Sequence, residues 1–364
     1  MGSIASSTAS STRIWEEPVR GVFGDLSVLG LPGLERMRRT RRGVAAPPPI
    51  HHLTGLTPSE SAFGTSTFTM PATPWLQTTV PGLLTGGVLA FLADGPLGTA
   101  IITLLPPLDY MTTSDLTMSF LKPATLESET LIGRARVIHG GRSVALSEVS
   151  IDDAHGHHLA HGTTRGFVLH APGAPEAEPS EPATYETPDP YLRPVVGRPL
   201  EAEEWARRTG LEVLRGCVAF ETVPPIYHLT GLHPVEASEG SCTFAMPASP
   251  WLCSPQPVLY GGAIALLADA ALSCAVMTTI RAGASFASLD LKVNYLRPVP
   301  PDGRLLHARA KLVHRGRSMA LAEAELFNED GKKIAVASSS AIVLNRPWSE
   351  LASAADREVP SPEG

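Results

Sequence analysis

The chain is written twice, and a chain that repeats over so long a period has few ways to fold. Pro48-Pro49-Ile50 returns as Pro224-Pro225-Ile226, and His52-Leu53-Thr54-Gly55-Leu56 as His228-Leu229-Thr230-Gly231-Leu232. Met70-Pro71-Ala72 with Pro74-Trp75-Leu76 returns as Met246-Pro247-Ala248 with Pro250-Trp251-Leu252, again 176 positions on. Past the tryptophans the offset becomes 175. It then pairs Gly86-Gly87 with Gly261-Gly262, Asp94 with Asp269, Asp115 with Asp290 and Pro123 with Pro298. His139-Gly140-Gly141-Arg142-Ser143 pairs in the same way with His314-Arg315-Gly316-Arg317-Ser318, and Gly33-Leu34-Glu35 in the lead-in mirrors Gly210-Leu211-Glu212. A unit of about 140 residues is a whole domain and not a solenoid repeat. Two copies of one domain, packed as an intramolecular pseudo-dimer, are therefore expected; further homo-oligomer formation is left open.

The repeat sets the boundaries: a flexible N-terminal segment over 1–30, domains over 31–170 and 200–347, a Pro-rich linker over 171–199 and a tail over 348–364. With 364 residues, 43% hydrophobic and 18% charged, each copy can bury a core of its own. A net charge of -7 and one short basic run, 36–42, read as the solvated end of a helix, exclude a nucleic-acid partner. No apolar stretch has the length of a membrane span. Cys217, Cys242, Cys253 and Cys274 lack metal-site spacing and are read as free thiols, which with no secretory leader predicts a cytoplasmic protein.

Within each copy the apolar pattern changes period once. Residues 86–105 and 261–280 are apolar on every side, as in a buried helix. Segments 65–70, 116–121, 130–138, 143–152 and 159–169 carry strand character, with hairpins at Gly140-Gly141 and at 153–156. The predicted fold class is α+β, each copy a curved antiparallel sheet wrapped around one long buried helix.

Asp94 and Asp269 each stand alone among apolar neighbours on that helix, where an unpaired carboxylate is costly. Either the carboxylate accepts hydrogen bonds that pin the helices together, or it faces a substrate and acts as base or nucleophile. The Gly pairs open the same helices, where unpaired N–H groups of Gly86 or Gly261 suit a tetrahedral oxyanion, or where small residues simply allow close packing. Eight helical residues separate Gly86 from Asp94, about 12 Å, too far for one carbonyl. A site must therefore combine copies, Gly261 with Asp94 and Gly86 with Asp269. Thr113 and Ser288 are candidates to orient the carboxylate or water, and the turns Arg142-Ser143 and Arg317-Ser318 suit a nucleotide phosphate. The His155, His157, His158 and His161 cluster has no counterpart in the second copy and is not read as a metal site.

The combination of a Gly pair, Asp eight residues on, a strand ending in Leu121-Lys122-Pro123 or Leu296-Arg297-Pro298, and a Gly-Arg-Ser turn resembles the phenylacetate-pathway-type acyl-CoA thioesterases. The resemblance covers both copies. It implies a tandem hot-dog fold and metal-free hydrolysis of acyl-CoA, with Asp94 and Asp269 as base or nucleophile, Gly86 and Gly261 as oxyanion amides, and Thr113 and Ser288 in place of the orienting serine. Two departures stand out. Thr85 and Tyr260 occupy the place of the family's His, and Thr79 and Ser254 that of its Asn. Gly95-Pro96 after Asp94 predicts a kink that the second copy lacks, which puts Asp269 ahead of Asp94.

The expected function is hydrolysis of an acyl thioester, presented by coenzyme A or an acyl-carrier protein, with no cofactor beyond that coenzyme A. The rival readings are a protein that binds acyl thioesters or a carrier protein without turnover, and a hot-dog dehydratase or hydratase, which needs a His that recurs nowhere near the helix.

Overall fold

The computed structural model describes residues 13–23, 26–41, 47–176, 184–344 and 346–347. In the first copy, α1 (Gly33–Arg41) and α2 (Pro49–Thr54) precede the hairpin of β1 (Thr57–Ala62) and β2 (Thr65–Pro71). After a short β3 (Leu83–Leu84) come the core helix α3 (Gly86–Ile102), β4 (Asp109–Phe120), a short β5 (Ala124–Thr125), β6 (Thr130–Gly140), β7 (Val144–Asp153) and β8 (His158–His170). The second copy adds α4 (Ala202–Arg207) and then repeats the series as α5 (Gly210–Val218), α6 (Pro225–Thr230), β9 (His233–Ser238), β10 (Ser241–Pro247) and the core helix α7 (Gly261–Met277). Its last strands are β11 (Ser285–Ser288), β12 (Asp290–Tyr295), β13 (Leu305–Arg315), β14 (Met319–Phe327) and β15 (Lys333–Leu344).

All of the main strands join one sheet in the order β1-β2-β6-β7-β8-β4-β12-β15-β14-β13-β10-β9, with β11 beside β15. The halves meet along the antiparallel seam of β4 and β12, where Thr117 faces Lys292. Those residues are equivalent in the repeat, so a pseudo-twofold axis passes between them. Each half of the sheet curves around its own helix, the tandem hot-dog fold. Nearly every residue of α3 and α7 is buried, because an all-round apolar helix has no face to offer water. The helices also pack on one another, antiparallel, across the axis.

Local chemistry sets the ends of these elements. Helix α3 stops at Ile102, short of the expected 105: Thr103 turns its hydroxyl onto the Ala100 carbonyl at 2.6 Å and accepts the Gly64 N–H at 2.8 Å. Thr278 does the same for α7 with Ala275 and Gly240. Each β1–β2 type of hairpin is thereby tied to the end of its core helix. Pro96 lies inside a helix that runs unbroken to Ile102. Its ring faces Gly133 on β6, where a Cβ would come within 3.1 Å of the proline Cγ, so the facing strand leaves room for it.

Three further expectations are revised. Strand β4 begins at Asp109, well before 116. Arg36 is not solvated: only 5% exposed, it donates to the carbonyls of Leu29, Leu31, Pro106 and Asp109 and clasps α1 to the connection between α3 and β4. The rest of the run to Arg41 continues α1, and position 42 lies outside the described residues. The described part of the lead-in is no free arm either. Ile14 is buried, the Glu17 carbonyl accepts the indole N–H of Trp251 at 2.9 Å, and the Trp15 carbonyl accepts the Ser249 hydroxyl. From the end of the linker, the Arg193 carbonyl accepts the indole N–H of Trp75 at 3.0 Å. Glu17 and Arg193 are 176 apart and form an ion pair of 2.7 Å. The repeat thus reaches back to Pro18-Val19-Arg20-Gly21 and Pro194-Val195-Val196-Gly197, and each copy reaches an arm across to the other's tryptophan.

Candidate active site

Crossing of the two core helices brings each carboxylate to the N-terminus of the other helix. The Gly262 N–H donates to Asp94 Oδ2 at 3.0 Å and the Gly87 N–H to Asp269 Oδ2 at 2.7 Å. First-turn N–H groups have no partner inside their own helix, and neither helix has a side-chain cap of its own. Each is capped by the other copy's aspartate, favourably placed for the helix dipole. Only glycine permits the approach: a Cβ on Gly261 would lie 2.9 Å from Asp94 Oδ2, and one on Gly87 3.0 Å from Asp269 Oδ2.

The surroundings of the two carboxylates differ. Asp94 also feels the Gly261 amide and the Thr113 hydroxyl. Asp269 accepts from Ser273 Oγ at 3.3 Å and feels the Thr85 hydroxyl. Ser288 reaches Asp269 through Ser273, whose Oγ lies 3.2 Å away. Both carboxyls are nearly or wholly out of solvent, Asp94 7% and Asp269 0% exposed. Burial raises each from 3.8 to about 6, against the opposing hydrogen bonds, the Gly262 amide first at Asp94 and the Gly87 amide first at Asp269.

Of the two glycine amides expected at an oxyanion, that of Gly261 is engaged with Asp94. The Gly86 N–H has no acceptor among the described residues, and the Phe120 ring lies 2.6 Å from where a Cβ on Gly86 would stand. Tyr295, the counterpart of Phe120, donates its hydroxyl to the Gly261 carbonyl at 2.9 Å. The backbone carbonyl of Thr79 accepts from Leu200 and from the Trp205 indole, both at 2.9 Å.

The turns carrying Arg142-Ser143 and Arg317-Ser318 are exposed and stand away from the carboxylates. The register relates them all the same. Val144 pairs with Phe167 and Phe167 with Thr112, next to Thr113. Met319 pairs with Ile342 and Ile342 with Ala287, next to Ser288. Two strand spacings, about 10 Å, separate each turn from its hydroxyl along the sheet. The histidines of the β7–β8 hairpin are held by acids, His157 by Asp153 and His158 by Asp152, each at 2.9 Å. Cavities of about 570 Å³ beside Phe63 and Leu104 and about 390 Å³ beside Arg297 and Asn328 lie away from both carboxylates. The site is closed over its acids.

Sequence reasoning passes over Ser273 and Tyr295 and marks Thr85 and Tyr260 only as departures. Ser273 had a visible signal, a polar residue four positions after Asp269 and so on its helix face; Gly98 takes that place in the first copy.

The thioesterase superfamily model matches residues 81–160 and 256–335, one match in each copy, and each match spans the Gly pair, the carboxylate and the basic turn. Among solved structures the chain is similar to an acyl-CoA thioesterase II from Mycobacterium marinum at 14% identity, TM-score 0.48, over 81% of this chain and 96% of that one. It is similar to a hot-dog-fold protein of unknown function from Alicyclobacillus acidocaldarius at 14% identity, TM-score 0.48, over 79% and 95%. A thioesterase from Haemophilus influenzae is 25% identical with a TM-score of 0.33, over 39% of this chain and 94% of that one.

Proposed function

We propose that this chain, whose two copies both match the thioesterase superfamily, hydrolyses acyl thioesters to a free acid and a thiol. The observation that carries the reading is the trans pairing of a buried carboxylate, raised to about 6, with the glycine amides of the other copy's helix. A carboxylate in that range is ionised at neutral pH yet basic enough to take a proton from water. The reaction then runs on few groups. Water bonds to the thioester carbon while Asp94 or Asp269 takes its proton, and the carbonyl electron pair moves onto oxygen beside a helix N-terminus, where the helix dipole favours it. The pair returns, the carbon–sulfur bond breaks, and the carboxyl gives its proton to the sulfur. Attack by the carboxylate itself, through an anhydride, uses the same residues.

On this reading no cofactor is needed beyond coenzyme A as part of the substrate, and the exposed Arg142-Ser143 and Arg317-Ser318 turns receive its phosphates. The residue pattern favours the phenylacetate-pathway type of acyl-CoA thioesterase, with coenzyme A ahead of a carrier protein as the thiol. Closure of the site over both acids supports one rival, binding without turnover.

Thiol release from a panel of short, medium, long and aromatic acyl-CoAs separates these readings. Hydrolysis predicts turnover that falls roughly 1,000-fold or more when Asp94→Asn and Asp269→Asn are combined. Absence of thiol release from every substrate would sink it and leave binding.

A further inference from the structure

Tyr260 stands immediately before the Gly pair of the second copy, as Thr85 does in the first. The Thr85 hydroxyl acts on Asp269. The Tyr260 hydroxyl, on a side chain only 7% exposed, finds no acceptor for its proton among the described residues. Burying a hydroxyl unpartnered is unfavourable, so its presence calls for a partner that arrives with the substrate.

Its position says where. The ring folds back over the start of α7, its Cε1 2.6 Å from where a Cβ on Gly262 would stand, and packs edge-on against Phe91 with centroids 5.2 Å apart. The phenol oxygen ends 2.9 Å from the corresponding point on Gly95, the residue after Asp94. The Gly95 amide acts on that oxygen, while nothing among the described residues accepts the phenol's own proton. The other tyrosine here, Tyr295, has already placed its proton on the Gly261 carbonyl. One strong donor beside Asp94 is therefore unspent.

We infer that Tyr260 touches the substrate in the Asp94 pocket, donating its O–H to the thioester carbonyl oxygen. The inference rests on the hydrolase reading. The bond strengthens as that oxygen gains charge during water attack. Tyr260 keeps its proton throughout: water's proton goes to Asp94 and from there to the departing sulfur. The Asp269 pocket has Thr85 in the equivalent place and no such phenol, so the two pockets differ in how they hold the carbonyl.

The test uses the full chain carrying Asp269→Asn, in which only the Asp94 pocket can turn over. Adding Tyr260→Phe lowers kcat roughly 100-fold, keeps KM within about 3-fold, and leaves the melting temperature within about a degree, because the lost O–H donated to nothing in the folded protein. An unchanged kcat overturns the inference. So does a melting temperature lowered by several degrees, which would mark the phenol as structural, and so does an inactive Asp269→Asn protein beside an active unmodified one. If the unmodified protein releases no thiol at all, the hydrolase reading fails on its own account. The contact is then read from binding of an acyl-CoA analogue with a methylene in place of sulfur and the carbonyl kept: weakening of roughly 5- to 10-fold by Tyr260→Phe supports it, and equal affinity overturns it.

Discussion

Asp94 and Asp269 govern how the protein responds to pH, and the sign follows from their burial. Unfolded, each titrates near 3.8; folded, near 6. Below about pH 4 both states hold the proton and no charge is buried. Above about pH 6 both are ionised, and the folded state bears two desolvated charges. Stability therefore falls as pH rises from about 4 to about 6 and is level beyond, by about 3 kcal/mol per carboxyl. Urea unfolding between pH 4 and 7 should show this fall halved in Asp269→Asn; an unaltered slope would contradict it. Activity runs the other way, kcat/KM rising with pH and levelling off above about 6, as a base that must lose its proton requires. The two aspartates were legible in the sequence because a lone charge in an apolar run has to be explained, and the distance along one helix sent each to the other copy. The engagement of Gly87 and Gly262 amides was not legible, since which first-turn N–H meets a carboxylate depends on helix crossing, and neither was Tyr260's unspent proton.

The core helices α3 and α7 cross where each lacks a side chain, and the crossing tolerates little. A Cβ on Gly262 would lie 2.6 Å from the Phe91 carbonyl oxygen, a backbone atom that cannot step aside. Gly262→Ala should therefore destabilise the protein by about 1–3 kcal/mol and loosen the Asp94 contact; an unchanged melting temperature would show that the helices shift freely. All-round apolar character made these helices plain in the sequence. Strand β1 was not, because Thr57–Ala62 is a polar edge strand that packs few side chains. The arms escaped notice for another reason: their shared signal is only Pro18-Val19 with Gly21 against Pro194-Val195 with Gly197, two glycines that both take positive φ and that close neighbours oblige to be glycine.

At the scale of the molecule, the β4–β12 seam, the crossed helices and the exchanged arms all join the copies, so the peptide link between them is not what holds them together. A protease site engineered between residues 177 and 183, once cut, should leave both halves eluting as one species in gel filtration with activity retained; separation into two species would refute this. The ion pair of Glu17 with Arg193 shows what the covalent link does change. In an assembly of two identical chains, a residue close to the axis meets its own likeness, and a glutamate there would confront a glutamate. With both halves encoded in one chain, the positions can drift apart, one turning acidic and the other basic, each mutation appearing on one side only. The same freedom extends to Thr85 and Tyr260, and to Phe120 and Tyr295, so that a change suiting one substrate need not be imposed on its opposite number.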